Sequence, residues 1–167
     1  MQIRFERPAD AQPIHGLHVA AFGSAFEGAI VDTLRAAGVV VASLVADDEG
    51  DIVGHVVFSP VTMTGRGDLR IVALAPMAVR PDRQRRGIGS ALVSAGIEEC
   101  RRIGVQAIFL VGHADYYPRF GFVQAASDGI SCEFDVPDDV FMVLELAQGA
   151  LQGRAGVVRF HDTFHMT

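Results

Sequence analysis

Gln84-Arg85-Arg86-Gly87-Ile88-Gly89 stands between an apolar run and a long stretch of helical periodicity, and its reading decides the fold. Val72 to Val79 is short and apolar, as a buried strand requires. Arg80-Pro81-Asp82 breaks it, because proline has no N–H to give to a ladder. After the loop, Ile88, Leu92, Gly96, Cys100 and Ile103 recur at helical spacing with Val93 and Ile97 beside them. Glu98, Glu99, Arg101 and Arg102 gather near the end of this helix, and Gly104 marks its stop. A glycine-rich loop therefore opens a helix directly after a strand. The first-turn N–H groups of a helix lack partners inside it, and its dipole favours anions. Glycine lets a phosphate approach the backbone closely, and Arg85 and Arg86 add positive charge. The stretch predicts a phosphate-bearing ligand.

Two common phosphate loops do not fit. The Walker loop needs Gly-Lys-Ser/Thr after its spacer, which is absent. The dinucleotide loop needs a third glycine where Leu92 stands, and no first βαβ unit precedes it.

Outward from the loop, the chain reads as mixed α/β. Ile3 to Arg7 alternates apolar and charged residues as a short strand. Pro8-Ala9-Asp10 starts a helix with Ile14, Leu17, Val19 and Phe22 as its apolar residues. Ser24, with Glu27 three residues on, forms a capping-box pattern for a second helix carrying Phe26, Ile30, Val31 and Leu34 and ending at Gly38. Val41 to Ala46 and Ile52 to Ser59 form a hairpin about an acidic turn, with Pro60 limiting the edge pairing of the second strand, and Leu69 to Val79 follows after a Gly65-Arg66-Gly67 turn. Beyond the long helix come the wholly apolar strand Ala107 to Val111, strand pieces Phe122 to Ala125 and Ile130 to Phe134 around Asp128-Gly129, the strand Val140 to Leu146, and a candidate strand Gly156 to Phe160 in the tail, residues 147–167. Consecutive strands are expected to be antiparallel, with one βαβ crossover around the long helix. Residues 1–167 are read as a single domain.

The 167 residues are half apolar, and their net charge of −6 argues against nucleic acid as a partner. Cys100 and Cys132 form no metal or redox motif, and Cys100 lies on the apolar stripe of the long helix. No apolar run is long enough to span a membrane and no leader opens the chain, so a cytoplasmic protein is expected. His161-Asp162-Thr163-Phe164-His165 resembles a two-histidine zinc motif but lacks its glutamate and a third ligand, so no metal is assigned. His15 and His18, three apart on a helix, read as a solvated edge.

The loop fits R/Q-x-x-G-x-G/A, and Tyr117-Pro118-Arg119-Phe120-Gly121-Phe122 fits Tyr-x-x-x-Gly-Phe one helix and one strand later. Together, in this order and on these elements, they resemble the Gcn5-related N-acetyltransferase (GNAT) superfamily over nearly the whole chain. Gly54 to Pro60, Gly112 to Phe122 and Phe141 to Leu146 resemble its YhbS-like branch of N-acetyltransferases. The resemblance implies the GNAT fold, a mainly antiparallel sheet with helices on both faces, and acetyl-CoA as cosubstrate. It implies that the backbone around Gln84, Arg85, Arg86, Gly87, Ile88, Gly89 and Ser90 holds the CoA pyrophosphate. Met77, Ala78 and Val79 would then pair with the pantetheine arm, Pro76 marking a bulge, and Tyr117 would serve the leaving sulfur as general acid. Arg80 and Arg83 belong to the same basic surround. The acceptor would be a small-molecule or peptide amine, and the resemblance allows a homodimer.

Direct attack by an amine on a thioester needs no covalent enzyme intermediate, but a free lysine-type amine with a pKa of about 10.4 must lose a proton. Glu27, His55 and His113, the last with Asp115 beside it, are the candidate bases, and the sequence does not choose among them. Tyr116 is expected to pack or to line a substrate wall. A non-catalytic acyl-CoA-binding module on the same fold is the alternative reading.

Overall fold

A computed structural model describes residues 1–153 and 155–166. Among the described residues nine strands and three α-helices run in the expected order: β1 (Gln2–Phe5), α1 (Ala11–Phe22), α2 (Phe26–Ala36), β2 (Ala42–Asp48), β3 (Asp51–Met63), β4 (Ile71–Val79), α3 (Ile88–Arg102), β5 (Ala107–Val111), β6 (Val123–Gln124), β7 (Ile130–Cys132), β8 (Phe141–Glu145) and β9 (Gly156–Arg159). The chain divides into two compact units. One holds Met1–Ser59, Ala75–Cys100 and Asp162–Thr167, and the other holds Pro60–Leu74 and Arg101–His161.

In the first unit β1, β2 and β3 form an antiparallel ladder, and β4 neighbours β3. The hairpin between β2 and β3 turns on Glu49 and Gly50, both at positive φ (53° and 96°), which suits a two-residue turn. Alternation along β3 separates two apolar layers. Val57 packs with Ile14 of α1, Ile30, Val31 and Leu34 of α2, and Val45. On the other face Gly54 lies under Leu92 and Ile88 of α3, and Phe58 lies under Gly96. His55 shares the face of Val57.

In the second unit β4 and β5 pair in parallel over Ile71–Ala73 and Ala107–Phe109, as a βαβ crossover requires. β8 is antiparallel to both β5 and β6. β9 runs antiparallel to the end of β3 and parallel to β7. The pairing is therefore mostly antiparallel. Among the described residues no helix is long and apolar enough to cross a membrane.

Several local expectations are corrected. β3 runs on past Ser59 to Met63, and Pro60 falls in the gap on one edge where the β2 ladder has ended at Phe58 and the β9 ladder has not yet begun at Thr62. Phe22 and Phe26, expected in the core, are 46% and 40% exposed at the bend between α1 and α2. The capping box of α2 is displaced: Ser24 Oγ accepts the Phe26 N–H at 3.3 Å and donates to Glu27 Oε2 at 3.2 Å. His18 is not at a solvated edge but fully buried.

Candidate active site

The loop before α3 takes its shape from two left-handed residues, Arg85 at φ 64° and Gly87 at φ 83°. Alternating handedness turns successive N–H groups toward one side, and such concavities bind anions. Ile88 anchors the start of α3 in the core at 4% exposure, and the first helical bond runs from Ala91 N–H to Gly87 O at 3.0 Å. The first turn of α3 carries no acidic residue that would oppose an anion.

Internal bonds fix the approach to the loop. Arg80 N–H donates to Val53 O at 2.9 Å, and Arg83 N–H closes a turn on Arg80 O at 2.8 Å. The Gln84 side-chain amide donates to Val79 O at 3.0 Å, tying the loop to the end of β4. The arginines divide into two kinds. Arg80 pairs with Asp82 at 2.7 Å and Arg83 with Asp48 at 2.6 Å, so their charges are compensated within the fold. Arg85 and Arg86 are exposed and have no ion pair among the described residues. Sequence reasoning grouped all four, because the Arg83 partner lies 35 residues away in the chain.

The strand end that precedes the loop has Ala78 buried and Met77 and Val79 half-buried, and the Ala75–Pro76 peptide is cis.

In the second unit, the segment after β5 forms a 3-10 turn over Tyr117–Phe120 that stops at Gly121 with φ 98°. Tyr117 is 8% exposed, its ring edge-on to Tyr116 at 5.0 Å and to Phe122 at 5.8 Å. Gly112 makes room for it, since a Cβ there would come 2.5 Å from Tyr117 Cε2. Burial, with Tyr116 beside it, pushes the Tyr117 hydroxyl up to about 12. It holds its proton throughout neutral pH.

The three candidate bases stand in different settings. Glu27 is half-buried and bonded to Ser24. His113 is exposed on the segment after β5, where its carbonyl accepts the Tyr116 N–H at 3.2 Å, and Asp115 is exposed too. His55 faces neither cleft nor solvent. It is fully buried, with Nδ1 2.8 Å from His18 Nε2 and Nε2 2.8 Å from Ser43 Oγ.

Ser43 Oγ donates onward to Glu6 Oε1 at 2.8 Å, and Glu6 is held by Arg35 through two bonds of 2.8 and 2.9 Å. Burial alone would raise the Glu6 carboxyl. The bonds from Arg35, His55 and Ser43 outweigh it and hold the group well below the usual carboxylate range. Burial, with smaller contributions from the charges of His55 and His15, pushes His18 down to about 3, and burial also lowers His55 against the pull of Glu6. His18 was missed as a site residue. Its one signal was a place four residues after Ile14, on the stripe that Leu17 shares.

Among the described residues no group of three or more His, Cys, Asp or Glu side chains is placed to hold a metal ion.

Mixed α/β pairing, with a loop of two left-handed residues at the head of α3, has counterparts among known acetyltransferases. The chain belongs to the GNAT acetyltransferase family, whose sequence model matches residues 14–122. It is 38% identical over 166 residues to the uncharacterized N-acetyltransferase YhbS of Escherichia coli K12, covering 99% of each chain. The crystal structure of Escherichia coli YhbS in complex with CoA superposes with a TM-score of 0.94 at 36% identity, covering 99% of this chain and 92% of that one. A GNAT acetyltransferase of Brucella melitensis in complex with acetyl-CoA gives 0.83 at 36% identity, covering 98% and 97%.

Proposed function

We propose that this acetyltransferase moves an acetyl group from acetyl-CoA to a primary amine by direct attack in a ternary complex. The observation that carries the reading is the pair of left-handed residues, Arg85 and Gly87, at the head of α3. A pyrophosphate suits this donor set: converging N–H groups, a helix N-terminus and two uncompensated guanidinium groups. The CoA-bound and acetyl-CoA-bound relatives support the same donor.

In this reading Gln84, Arg85, Arg86, Gly87, Ile88, Gly89 and Ser90 bind the pyrophosphate through their backbone. Met77, Ala78 and Val79 hold the pantetheine arm as an added strand. A backbone N–H near Met77 steadies the oxyanion that develops during attack. Acetyl-CoA supplies the activated acetyl group. Tyr117, matching the family's Tyr-x-x-x-Gly-Phe segment, serves the leaving sulfur. Its raised pKa makes it a weak acid, so it acts first as a hydrogen-bond donor to the developing thiolate.

The test is thiol release from acetyl-CoA with a panel of primary amines. The native chain should turn over at least one of them. Tyr117→Phe should lose roughly thirtyfold in kcat, the worth of one charge-assisted hydrogen bond of about 2 kcal/mol. CoA binding without turnover of any amine would instead favour a non-catalytic acyl-CoA-binding module.

A further inference from the structure

The register of β2 against β3 slips near the hairpin. Ala46 pairs with Gly54 and Asp47 with Ile52, which leaves Val53 as an extra residue on β3. A bulge of this kind bends its strand and re-aims the groups beside it. Val53 is fully buried, and its carbonyl is the one that accepts the Arg80 N–H at 2.9 Å. The extra residue is on β3, so β2 keeps its own alternation. Ala46 faces α3, since a Cβ on Gly54 would meet the Ala46 methyl together with Leu92 and Ile88. Asp48, two residues further on, shares that face. Asp47 points to the opposite face, where it accepts the Arg4 Nε–H at 3.0 Å, and its other oxygen accepts the Gly50 N–H at 2.8 Å. Those two bonds fix the strand end that carries Asp48.

Asp48 Oδ2 accepts a bond of 2.6 Å from Arg83 Nη1. The two side chains are 28% and 27% exposed, and an ion pair in such a setting adds little to stability. Its place in the chain says more. Arg83 N–H closes the turn after β4 on Arg80 O, and Arg83 stands two residues before the left-handed Arg85. Arg80 N–H fastens this segment to β3, and the Gln84 side chain fastens it to the end of β4. The Arg83 side chain fastens it to β2. The Arg83 guanidinium beside it holds the Asp48 carboxyl below the usual carboxylate range, so the pair is charged at neutral pH.

We propose that Asp48 is a positioning residue for the cofactor loop: by holding Arg83 it presets the course of the chain into Arg85 and Gly87, the conformation that receives the CoA pyrophosphate. The inference rests on the CoA reading above. A loop that is already ordered binds more tightly, because its freedom is not lost when the ligand arrives.

Charge alone makes the opposite forecast. Asp48 and Asp51 act on Arg80, and Asp82 feels both Arg80 and Arg83. A carboxylate near an anion site repels the ligand, so removing one should tighten binding, by about twofold at physiological salt. The sign of the change therefore separates a clamp from a charge.

Calorimetric titration of CoA into the native chain, Asp48→Asn, Arg83→Gln and the double variant tests the clamp. Asp48→Asn should bind CoA about three- to tenfold more weakly than the native chain. The same substitution should change affinity by less than about twofold when Arg83 is already replaced, because the clamp is then gone. Its denaturant midpoint should stay close to the native one, which separates loss of loop order from loss of folding. Equal or tighter binding by Asp48→Asn would overturn the clamp while leaving the CoA site standing. Equal weakening in both backgrounds would overturn it too, since Asp48 would then act without Arg83. A native chain that binds no CoA would remove the CoA reading and this inference with it.

Discussion

Arg85 occupies a backbone conformation that costs a residue with a Cβ about 1–2 kcal/mol, and Gly87 occupies one that costs glycine nothing. Strain held in a loop at a helix N-terminus is the pattern expected of a site selected for binding rather than stability. Arg85→Gly should raise stability by up to about 1 kcal/mol, part of the relief being offset by the freer unfolded chain. It should also weaken CoA binding by removing a cation. Thermal unfolding and calorimetry read the two effects separately, and a destabilised variant would contradict the strain. Gly112→Ala makes the complementary test in the second unit: its methyl displaces the Tyr117 ring, so kcat should fall toward that of Tyr117→Phe with the hydroxyl still present.

At the scale of elements, α3 is set by close contact with β3. A methyl at Gly54 would lie 2.8 Å from Leu92 Cδ1 and 2.9 Å from Ile88 Cγ2, and one at Gly96 would fall on the Phe58 ring. Gly96→Ala should cost about 1–3 kcal/mol in a denaturant titration, because an aromatic ring between sheet and helix has little room to move. Gly54→Ala should also lower CoA affinity, since Ile88 is the first residue of the helix whose N-terminus forms the loop. The stripe of α3 and the glycines before it were legible in the sequence because periodicity and turn chemistry are local. The burial of His18 was not, because histidine suits a core or a surface equally well and its partner is 37 residues away on β3. Phe22 and Phe26 misled for the converse reason: helical spacing counted them as core, yet they flank the Gly23 bend and stay partly exposed. Which arginines remain uncompensated likewise depended on Asp48, a partner no local pattern reveals.

For the molecule as a whole, the buried histidines tie stability to pH. Folded His18 titrates near 3 against 6.5 when unfolded, so above about pH 6.5 neither state binds its proton. As pH falls below 6.5 the unfolded chain takes up protons that the folded one refuses, and stability drops by up to about 1.4 kcal/mol per pH unit for this residue, with His55 adding in the same direction. Glu6 contributes stability above the ordinary carboxylate range, and this is lost as pH falls further. Denaturant midpoints between about pH 4 and pH 7 should show the decline, and His18→Gln should flatten it; an equal slope in both proteins would contradict the burial of a neutral imidazole. The net charge of −6 repels an anionic cosubstrate only weakly at physiological salt, where the screening length is about 8 Å, so the local cations and N–H groups decide binding.

The central claim is that the loop from Gln84 to Ser90 holds a pyrophosphate, and calorimetric titration of CoA into the native chain, Gly87→Val and Gly89→Val tests it most directly. The native protein should bind, and both variants should bind at least tenfold more weakly while unfolding cooperatively, because a branched side chain blocks the phosphate's approach to the backbone. Equal affinity in all three proteins would contradict the account.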